Sequence, residues 1–170
     1  MEKYNIMVLI ENSAEMNTGG KYFFMTGQDM REFLDMMDHP LLKAVWDTGH
    51  ANMRGNNQYE DLMALGDYLV GLHVHDNDGN RDEHTAPFMG TLNLDALMKG
   101  IIDSGYKGYF TFESNNTLLR GGGWPYKRKP VEGIEDNRLL HPSVELKIQA
   151  ECLLYEIGKY ILQQYNMFEE

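Results

Sequence analysis

Short apolar segments alternate with amphipathic helical segments four times along this chain of 170 residues. The apolar segments are nearly uninterrupted, as expected for strands buried on both faces, and they occupy residues 6–10, 43–46, 68–72 and 109–112. The helical segments follow them at about residues 29–37, 59–67, 93–104 and 143–165. This alternation predicts an α/β fold whose parallel strands are joined by right-handed helical crossovers.

Capping residues support the helix boundaries. Thr26 and Asp29 form a capping pattern before the first helix, and Asn93 and Ser143 stand where the third and last helices would begin. Four apolar residues recur at helical spacing after this first cap: Met30, Phe33, Leu34 and Met37. The first helix is therefore expected to bury this face.

Each apolar segment ends in residues of the types that bind divalent metals in proteins. They are Glu11 after the first segment, Asp47 and His50 after the second, His73 and His75 after the third, and Glu113 after the fourth. The carboxyl ends of parallel strands meet at one face of an α/β barrel, where such barrels carry their chemistry. Three carboxylates with an imidazole form a mostly hard ligand set, suited to Mn²⁺, Mg²⁺ or Co²⁺. The pattern predicts a metal-binding enzyme site.

Each of these residues, taken alone, has a structural explanation. Glu11 and Glu113 could be solvated carboxylates, and Asp47 could cap a turn. Residues two apart on a strand face the same side, so His73 and His75 are expected to point together, with one of them beside the ligands rather than among them. The site is favoured because polar residues recur at the same end of all four segments.

Composition narrows the functional classes. A formal net charge of −11 disfavours binding to nucleic acid or to an anionic membrane surface. The sequence contains no run of about 18 apolar residues, so it predicts no membrane-spanning helix. No long apolar segment of the kind found in a secretory signal precedes Glu11. The single cysteine, Cys152, excludes a disulfide within the chain and favours a reducing, cytoplasmic location. It lies in a helix-like segment, where we expect it to be buried in the interior.

The strand-end motifs together resemble a known superfamily. The strings concerned are Leu-Ile-Glu11-Asn, Trp-Asp47-Thr-Gly-His50, His73-Val-His75-Asp-Asn-Asp78-Gly and Phe-Glu113-Ser. In order and spacing, over roughly residues 3–114, they are similar to the last four strands of the xylose isomerase-like barrels, particularly the sugar phosphate isomerase/epimerase branch. The resemblance implies that residues 1–170 form one domain, a partial (β/α)8 TIM barrel of four C-terminal β/α units, because a full barrel takes about 250 residues.

The resemblance also implies roles for individual residues. Its metal ligands match Glu11, Asp47, His75 and Glu113, with one divalent ion expected, Mn²⁺ first and Mg²⁺, Co²⁺ or Zn²⁺ as alternatives. His75 matches better than His73 because His75-x-x-Asp78 repeats the family's His-x-x-Asp pattern. The substrate-side residues are then His50 and Arg81, with His73 as their neighbour beside the ligands.

The implied activity is isomerisation or epimerisation of a small sugar. A ketose or aldose, or its phosphate, would react through a metal-stabilised enediolate. Glu11 and Glu113 would remove and return a proton at carbon from opposite sides. His50 and Arg81 would hold hydroxyls or the developing oxyanion. One departure leaves the sugar open: a Pro-Gly-x-Gly stretch common in the family reads Pro87-Phe88-Met89-Gly90.

Two alternatives remain open. A metal-dependent phosphodiesterase of the endonuclease IV type would use Asp82-Glu83-His84, and a phosphate backbone could meet the segment containing Arg120, Trp124, Tyr126, Lys127, Arg128 and Lys129. A half-barrel could instead serve only as an oligomerisation module. In a half-barrel of four β/α units, residues 6–10 and 109–112 would be exposed strand edges, which predicts self-association, an N-terminal half that completes the barrel, or an open sheet covered by the loop of residues 114–142.

Overall fold

The computed structural model describes residues 1–14, 24–118, 129, 130 and 132–168. Three parallel strands form one sheet in the order β1 (Val8–Glu11), β2 (Leu42–Asp47) and β3 (Leu69–His73). Glu11 pairs in register with Val45, and Asp47 pairs with His73. The predicted α/β architecture with parallel strands is confirmed, and the strand ends lie side by side.

Five α-helices accompany the strands in the described residues: α1 (Gly27–Met37), α2 (Thr48–Arg54), α3 (Gln58–Leu65), α4 (Leu94–Asp103) and α5 (Val144–Gln164). Short 3₁₀ turns span Glu2–Tyr4 and Gly66–Tyr68. Four of the helices were expected, with boundaries shifted by a few residues. Helix α2 was not expected; it forms because the Asp47 side chain accepts the His50 backbone N–H and caps it.

The capping residues act as expected. Thr26 accepts the Asp29 N–H while Asp29 accepts the Thr26 N–H, which is a reciprocal capping box. Asn93 caps α4 by accepting the Ala96 N–H, and Ser143 caps α5 by accepting the Leu146 N–H. On α1, Met30 and Leu34 are buried as expected, but Met37 at the last turn is 47% exposed. The predicted apolar face therefore ends before the helix does.

The fourth expected strand is much reduced. A single parallel bridge joins Phe112 to Val74, with hydrogen bonds from Val74 N to Thr111 O (2.8 Å) and from Glu113 N to Val74 O (3.0 Å). Tyr109 lies outside any strand and is 88% exposed. The segment pairs briefly on one side only, because β3 ends at His73 and offers no longer ladder. Glu113 is nevertheless delivered to the same edge as the other strand ends.

The core lies between one face of the sheet and the helices. Alternate strand residues, Ala44 and Trp46 on β2 and Leu72 on β3, are buried with α1, α3 and α4. Trp46 is fully buried, and its Nε1–H donates to Gln58 Oε1 (2.8 Å). Because Gln58 also donates to the Thr48 carbonyl (2.9 Å), the core side chains position the start of α2.

The opposite face of the sheet is not covered by these helices. Gly71 lies against Val45 and Leu9 on that face; a Cβ on Gly71 would lie 3.2 Å from Val45 Cγ2 and 3.5 Å from Leu9 Cδ1. Strand β1 is the edge of the sheet, and Val8 and Leu9 are each 41% exposed. An apolar edge of this kind is a template for pairing with another strand.

Two further predictions concern the burial of Cys152 and membrane-spanning helices. Cys152 is exposed on α5, so the expectation that it packs in the interior is wrong. No helix among the described residues is long and apolar enough to cross a membrane.

Packing between α3 and α4 predicts a large loss of stability on truncation of Leu62. Leu62 is fully buried, and its Cδ1 approaches Gly100 so closely that a Cβ there would lie 2.8 Å away. We expect Leu62→Ala to lower the free energy of unfolding by about 2–5 kcal/mol. Met63→Ala, one residue along the same helix and 40% exposed, should change it by less than about 1 kcal/mol. Urea unfolding of both variants measures the difference, and equal losses would contradict the packing described.

The uncovered edge predicts association. We expect the mass measured by light scattering to rise with protein concentration, because β1 pairs on only one side within the part of the chain that the structure describes. Leu9→Lys should reduce that rise, since a charged residue on an edge strand opposes pairing. Ile102→Lys on α4 is the control, because Ile102 is exposed to a similar degree (42% against 41%). A monodisperse monomer at every concentration would contradict the prediction.

Candidate active site

Three carboxylates and one histidine converge where the strands end. Glu11, Asp47, His73 and Glu113 each offer a ligand atom, and these atoms lie within 4.8 Å of one another. Each strand or bridge contributes at its carboxyl end, which is why residues separated by up to about 100 positions meet there. The expected polar site at one edge of the sheet is therefore present as a cluster of side chains.

His73 links the two glutamates. Its Nδ1 lies 3.0 Å from Glu113 Oε2 and 3.4 Å from Glu11 Oε2. The interaction with Glu11 raises the pKa of His73 and outweighs the opposing effect of burial. Both glutamates remain accessible, with side chains 36% and 39% exposed. They can therefore reach a ligand bound over the strand ends.

Asp47 is fully buried and is surrounded by donors. Its Oδ1 accepts the His50 N–H (2.7 Å) and lies 3.0 Å from His75 Nε2. Burial is the strongest single effect and opposes ionisation, but the interactions with His75 and His50 together outweigh it and lower the pKa of Asp47. Asn12 holds the backbone of Asp47 by two bonds, Nδ2 to Asp47 O (2.8 Å) and Asp47 N to Oδ1 (2.7 Å). The carboxylate is thus ionised and rigidly placed.

His75 faces Asp47 rather than the glutamates. It is fully buried and forms a second group of converging ligand atoms with Asp47 and His50. Thr48 exchanges hydrogen bonds with the His75 backbone (2.8 and 3.1 Å). The imidazole lies directly on Gly49, where a Cβ would be 1.9 Å from the ring. Position 49 therefore requires glycine for the ring to occupy this place.

His50 stands between the two groups. Its Nδ1 lies 2.9 Å from the Asn12 carbonyl oxygen and 3.4 Å from Glu11 Oε1, while its Nε2 lies 3.7 Å from Asp82 Oδ2. Burial opposes protonation, but the interactions with Asp82 and Asp47 prevail and raise the pKa of His50 to about 9. His50 is therefore cationic at neutral pH in the metal-free protein.

A third group extends the site into the loop after β3. It contains His75, Asp82 and His84, whose ligand atoms also converge. His84 Nε2 lies 3.1 Å from Asp82 Oδ2, and this contact raises the pKa of His84 to about 9 despite partial burial. Burial opposes ionisation of Asp82, but its interactions with His50 and His84 lower its pKa. The loop thus adds a carboxylate held between two imidazoles.

Asp76 and Asn77 hold this loop in place. Both are buried, and Asp76 accepts the backbone N–H groups of Gly90 (3.0 Å) and Leu92 (2.9 Å). Asn77 Nδ2 donates to the Gly49 carbonyl (2.8 Å), which joins the loop to α2. These bonds close the loop and use neither Asp82 nor His84.

Phe88 occupies a position where the family resemblance has glycine, and its backbone φ is 74°. A side chain in this left-handed region is strained, and glycine would not be. Arg81 is exposed on the same loop, and its backbone N–H donates to Asp78 Oδ1 (3.0 Å). The expected substrate residue thus lies beside the third group.

The residues fit a divalent cation. Carboxylate oxygens and imidazole nitrogens are its ordinary protein ligands, and four of them meet within 4.8 Å of one another. His75 Nδ1 and Asp82 Oδ1 are buried without a hydrogen-bond partner among the described residues. Unsatisfied buried polar atoms are uncommon in folded proteins and call for an explanation, of which an ion is one.

The structure brings together all but one of the expected site residues. Glu11, Asp47, His73 and Glu113 form one group and His50 and His75 join a second through Asp47, whereas Arg81 lies on the neighbouring loop surface. Asn12 was not anticipated, and its only sequence signal is its place directly after Glu11. Asp82 and His84 were considered only for a phosphodiesterase. Of the basic and aromatic segment in that alternative, residues 120, 124 and 126–128 lie outside the described residues, and Lys129 is exposed.

Residues 1–137 match the family described as "Xylose isomerase-like TIM barrel". The chain belongs to this family. An uncharacterized protein of Methanocaldococcus jannaschii is 29% identical over 117 residues, which are 68% of this chain and 39% of that protein. Fructoselysine 3-epimerase of Escherichia coli O157:H7 is 51% identical over 60 residues, covering 33% of this chain and 22% of that enzyme.

Solved structures show the same fold. A D-tagatose 3-epimerase-like protein aligns over 96% of this chain and 51% of its own, with a TM-score of 0.60 and 21% identity. A D-psicose 3-epimerase with D-tagatose from Clostridium cellulolyticum H10 aligns over 95% and 51%, with a TM-score of 0.65 and 17% identity. The expected partial barrel of this fold is confirmed, and the chain spans about half the length of these structures.

The imidazoles around Asp82 predict a pH dependence of stability. The pKa values of His50 and His84 rise from 6.5 to about 9 on folding. Their pairing with Asp82 therefore stabilises the fold fully below about pH 6.5, and this contribution is lost as the pH rises through about 9. We expect the thermal unfolding midpoint, measured with a chelator present, to fall over this interval. In Asp82→Asn the fall should be smaller, and an unchanged slope would contradict the assignment.

Proposed function

We propose that this chain carries the metal-binding and proton-transfer residues of a sugar epimerase or isomerase acting on an open-chain ketose or aldose, or its phosphate. The observation that carries the proposal is the convergence of Glu11, Asp47 and Glu113 beside His73 at the strand ends, with His75 joined to them through Asp47. The family, together with epimerases among its relatives, supports this reaction class over others that the same ligands could serve.

We assign the ion to Glu11, Asp47, His75 and Glu113, with Mn²⁺ as the proposed metal. His75 is fully buried, and its Nε2 already lies 3.0 Å from a carboxylate oxygen of Asp47. His73 is assigned to hold the glutamates, because its Nδ1 contacts both of them. Bound there, the ion would supply Lewis-acid stabilisation of negative charge on a sugar oxygen.

The two glutamates carry the proton transfers in this proposal. One removes the proton from the carbon next to the sugar carbonyl, and the other returns a proton to the opposite face, which inverts that carbon. Both carboxylates are more than one third exposed, so a sugar can reach them. His73 lies between them and orients both.

His50 and Arg81 are assigned to the substrate. His50 is partly exposed beside Glu11, where a cationic imidazole can donate to a sugar oxygen. Arg81 lies on the loop that borders the site, within reach of hydroxyls or a phosphate at the far end of a sugar.

The open face of the sheet requires a further wall to exclude water from this site. We propose that additional β/α units complete it, supplied by the same polypeptide or by a second copy of the chain. The relatives support this, because a D-tagatose 3-epimerase-like protein uses 51% of its length to match 96% of this chain.

Loss of a proton-transfer carboxylate should greatly slow proton exchange at the sugar carbon. We expect the Mn²⁺-loaded protein to incorporate deuterium from D₂O into a ketose, detected by NMR across a panel of ketoses and aldoses. Glu113→Gln should slow exchange by about 10²–10⁴-fold, because the amide cannot accept the proton. Glu60→Gln, the same change on the exposed surface of α3, should leave the rate unchanged.

Two experimental results would contradict the proposed function. Absence of exchange across the panel, combined with cleavage of abasic DNA, would favour the phosphodiesterase alternative, for which the group of His75, Asp82 and His84 provides additional ligands. Failure of Mn²⁺ to bind, measured by calorimetry, would favour the half-barrel that serves only in assembly.

A further inference from the structure

His84 contacts two of the proposed metal ligands, His75 and Glu113, and shares the third group with His75. Its ring stacks on His75 with centroids 4.0 Å apart and an interplanar angle of 13°. Its Nδ1 lies 2.9 Å from the backbone carbonyl oxygen of Glu113. A carbonyl oxygen only accepts, so Nδ1 carries the hydrogen and donates. One side chain therefore contacts ligands from two different strand ends.

His84 is itself held on all sides. Its Nε2 lies 3.1 Å from Asp82 Oδ2, and its backbone carbonyl accepts the Asn116 N–H (3.0 Å). Its backbone φ is 50°, a left-handed conformation that costs free energy for a residue other than glycine. Strained residues of this kind persist where the surroundings determine them fully, and they cluster at functional sites.

Several contacts close the loop without using the His84 side chain. Asp76 accepts three backbone N–H groups, from Asn77, Gly90 and Leu92, and pairs with Thr85 through the backbone. These bonds close the loop without the side chain at position 84. The placement of His84 against both ligands therefore needs an explanation other than loop folding.

We propose that His84 is a positioning residue that fixes the geometry of the metal centre. Its ring sets the plane of the His75 imidazole, and its Nδ1–H holds the backbone that presents Glu113. Asp82 anchors it from the other side. The inference rests on the proposed function, since it takes His75 and Glu113 to be ligands. Groups that orient metal ligands typically change metal affinity by 10–100-fold when they are removed.

Manganese binding to His84→Asn tests the proposal. Asparagine tolerates the left-handed conformation, so the substitution removes the ring without adding backbone strain. We expect one Mn²⁺ per wild-type chain by calorimetry, a dissociation constant about 10–100-fold higher in the variant, and an altered manganese electron paramagnetic resonance spectrum. His39→Asn makes the same change at a histidine outside the three groups and should leave both readouts unchanged.

The variant His84→Phe distinguishes the stacking on His75 from the hydrogen bond to the Glu113 carbonyl. It also tests the proposal if His84→Asn fails to fold. Phenylalanine keeps a ring to stack on His75 but cannot donate to Glu113, so an intermediate dissociation constant is expected.

Three results would contradict the positioning role of His84, each in a different way. One Mn²⁺ bound with unchanged affinity in both His84 variants overturns the positioning role and leaves the proposed function intact. Two Mn²⁺ in the wild type falling to one in the variants makes His84 a ligand itself and overturns it as well. No binding to the wild type overturns both proposals.

Discussion

The buried contact between Asp47 and His75 is the interaction on which the rest of the site depends. Burying an ionised carboxylate costs several kcal/mol unless donors surround it. Asp47 meets that condition because it accepts from the start of α2 and faces an imidazole that arrives from beyond β3. Asn12 adds a clamp from beyond β1. This one buried contact, with its Asn12 clamp, thus connects the ends of three strands, and the more exposed carboxylates are arranged around it.

The architecture could largely be predicted because it follows from periodicity and capping. Apolar runs located the strands, and Thr26, Asn93 and Ser143 located helix starts. Helix α2 has seven residues, too few for a periodic signal, and it depends on a cap that was considered only as a turn. The length of the fourth strand was overestimated. An apolar run indicates that a segment tends to be buried, but it does not indicate whether a neighbouring backbone is available to pair with it.

The sequence predicted which residues lie in the candidate site but not which of them contact one another. Strand-end position is readable from sequence, and it identified the three carboxylates and the histidines that meet there. The alternation rule placed His73 and His75 on one side, yet they contact different partners. Strand β3 ends at His73, so the rule no longer applies two residues later. Asn12 and His84 act through backbone contacts across the fold, for which a sequence carries no local pattern.

The three groups of ligand atoms share members, with Asp47 common to two of them and His75 common to two. Residues coupled through shared partners do not contribute independent increments of free energy. Substitutions in this site should therefore show strong epistasis, so that the effect of a change at Asp82 depends on which residue stands at position 47. Evolution of a new specificity here would proceed through correlated changes across the β1, β2 and β3 loops rather than one residue at a time.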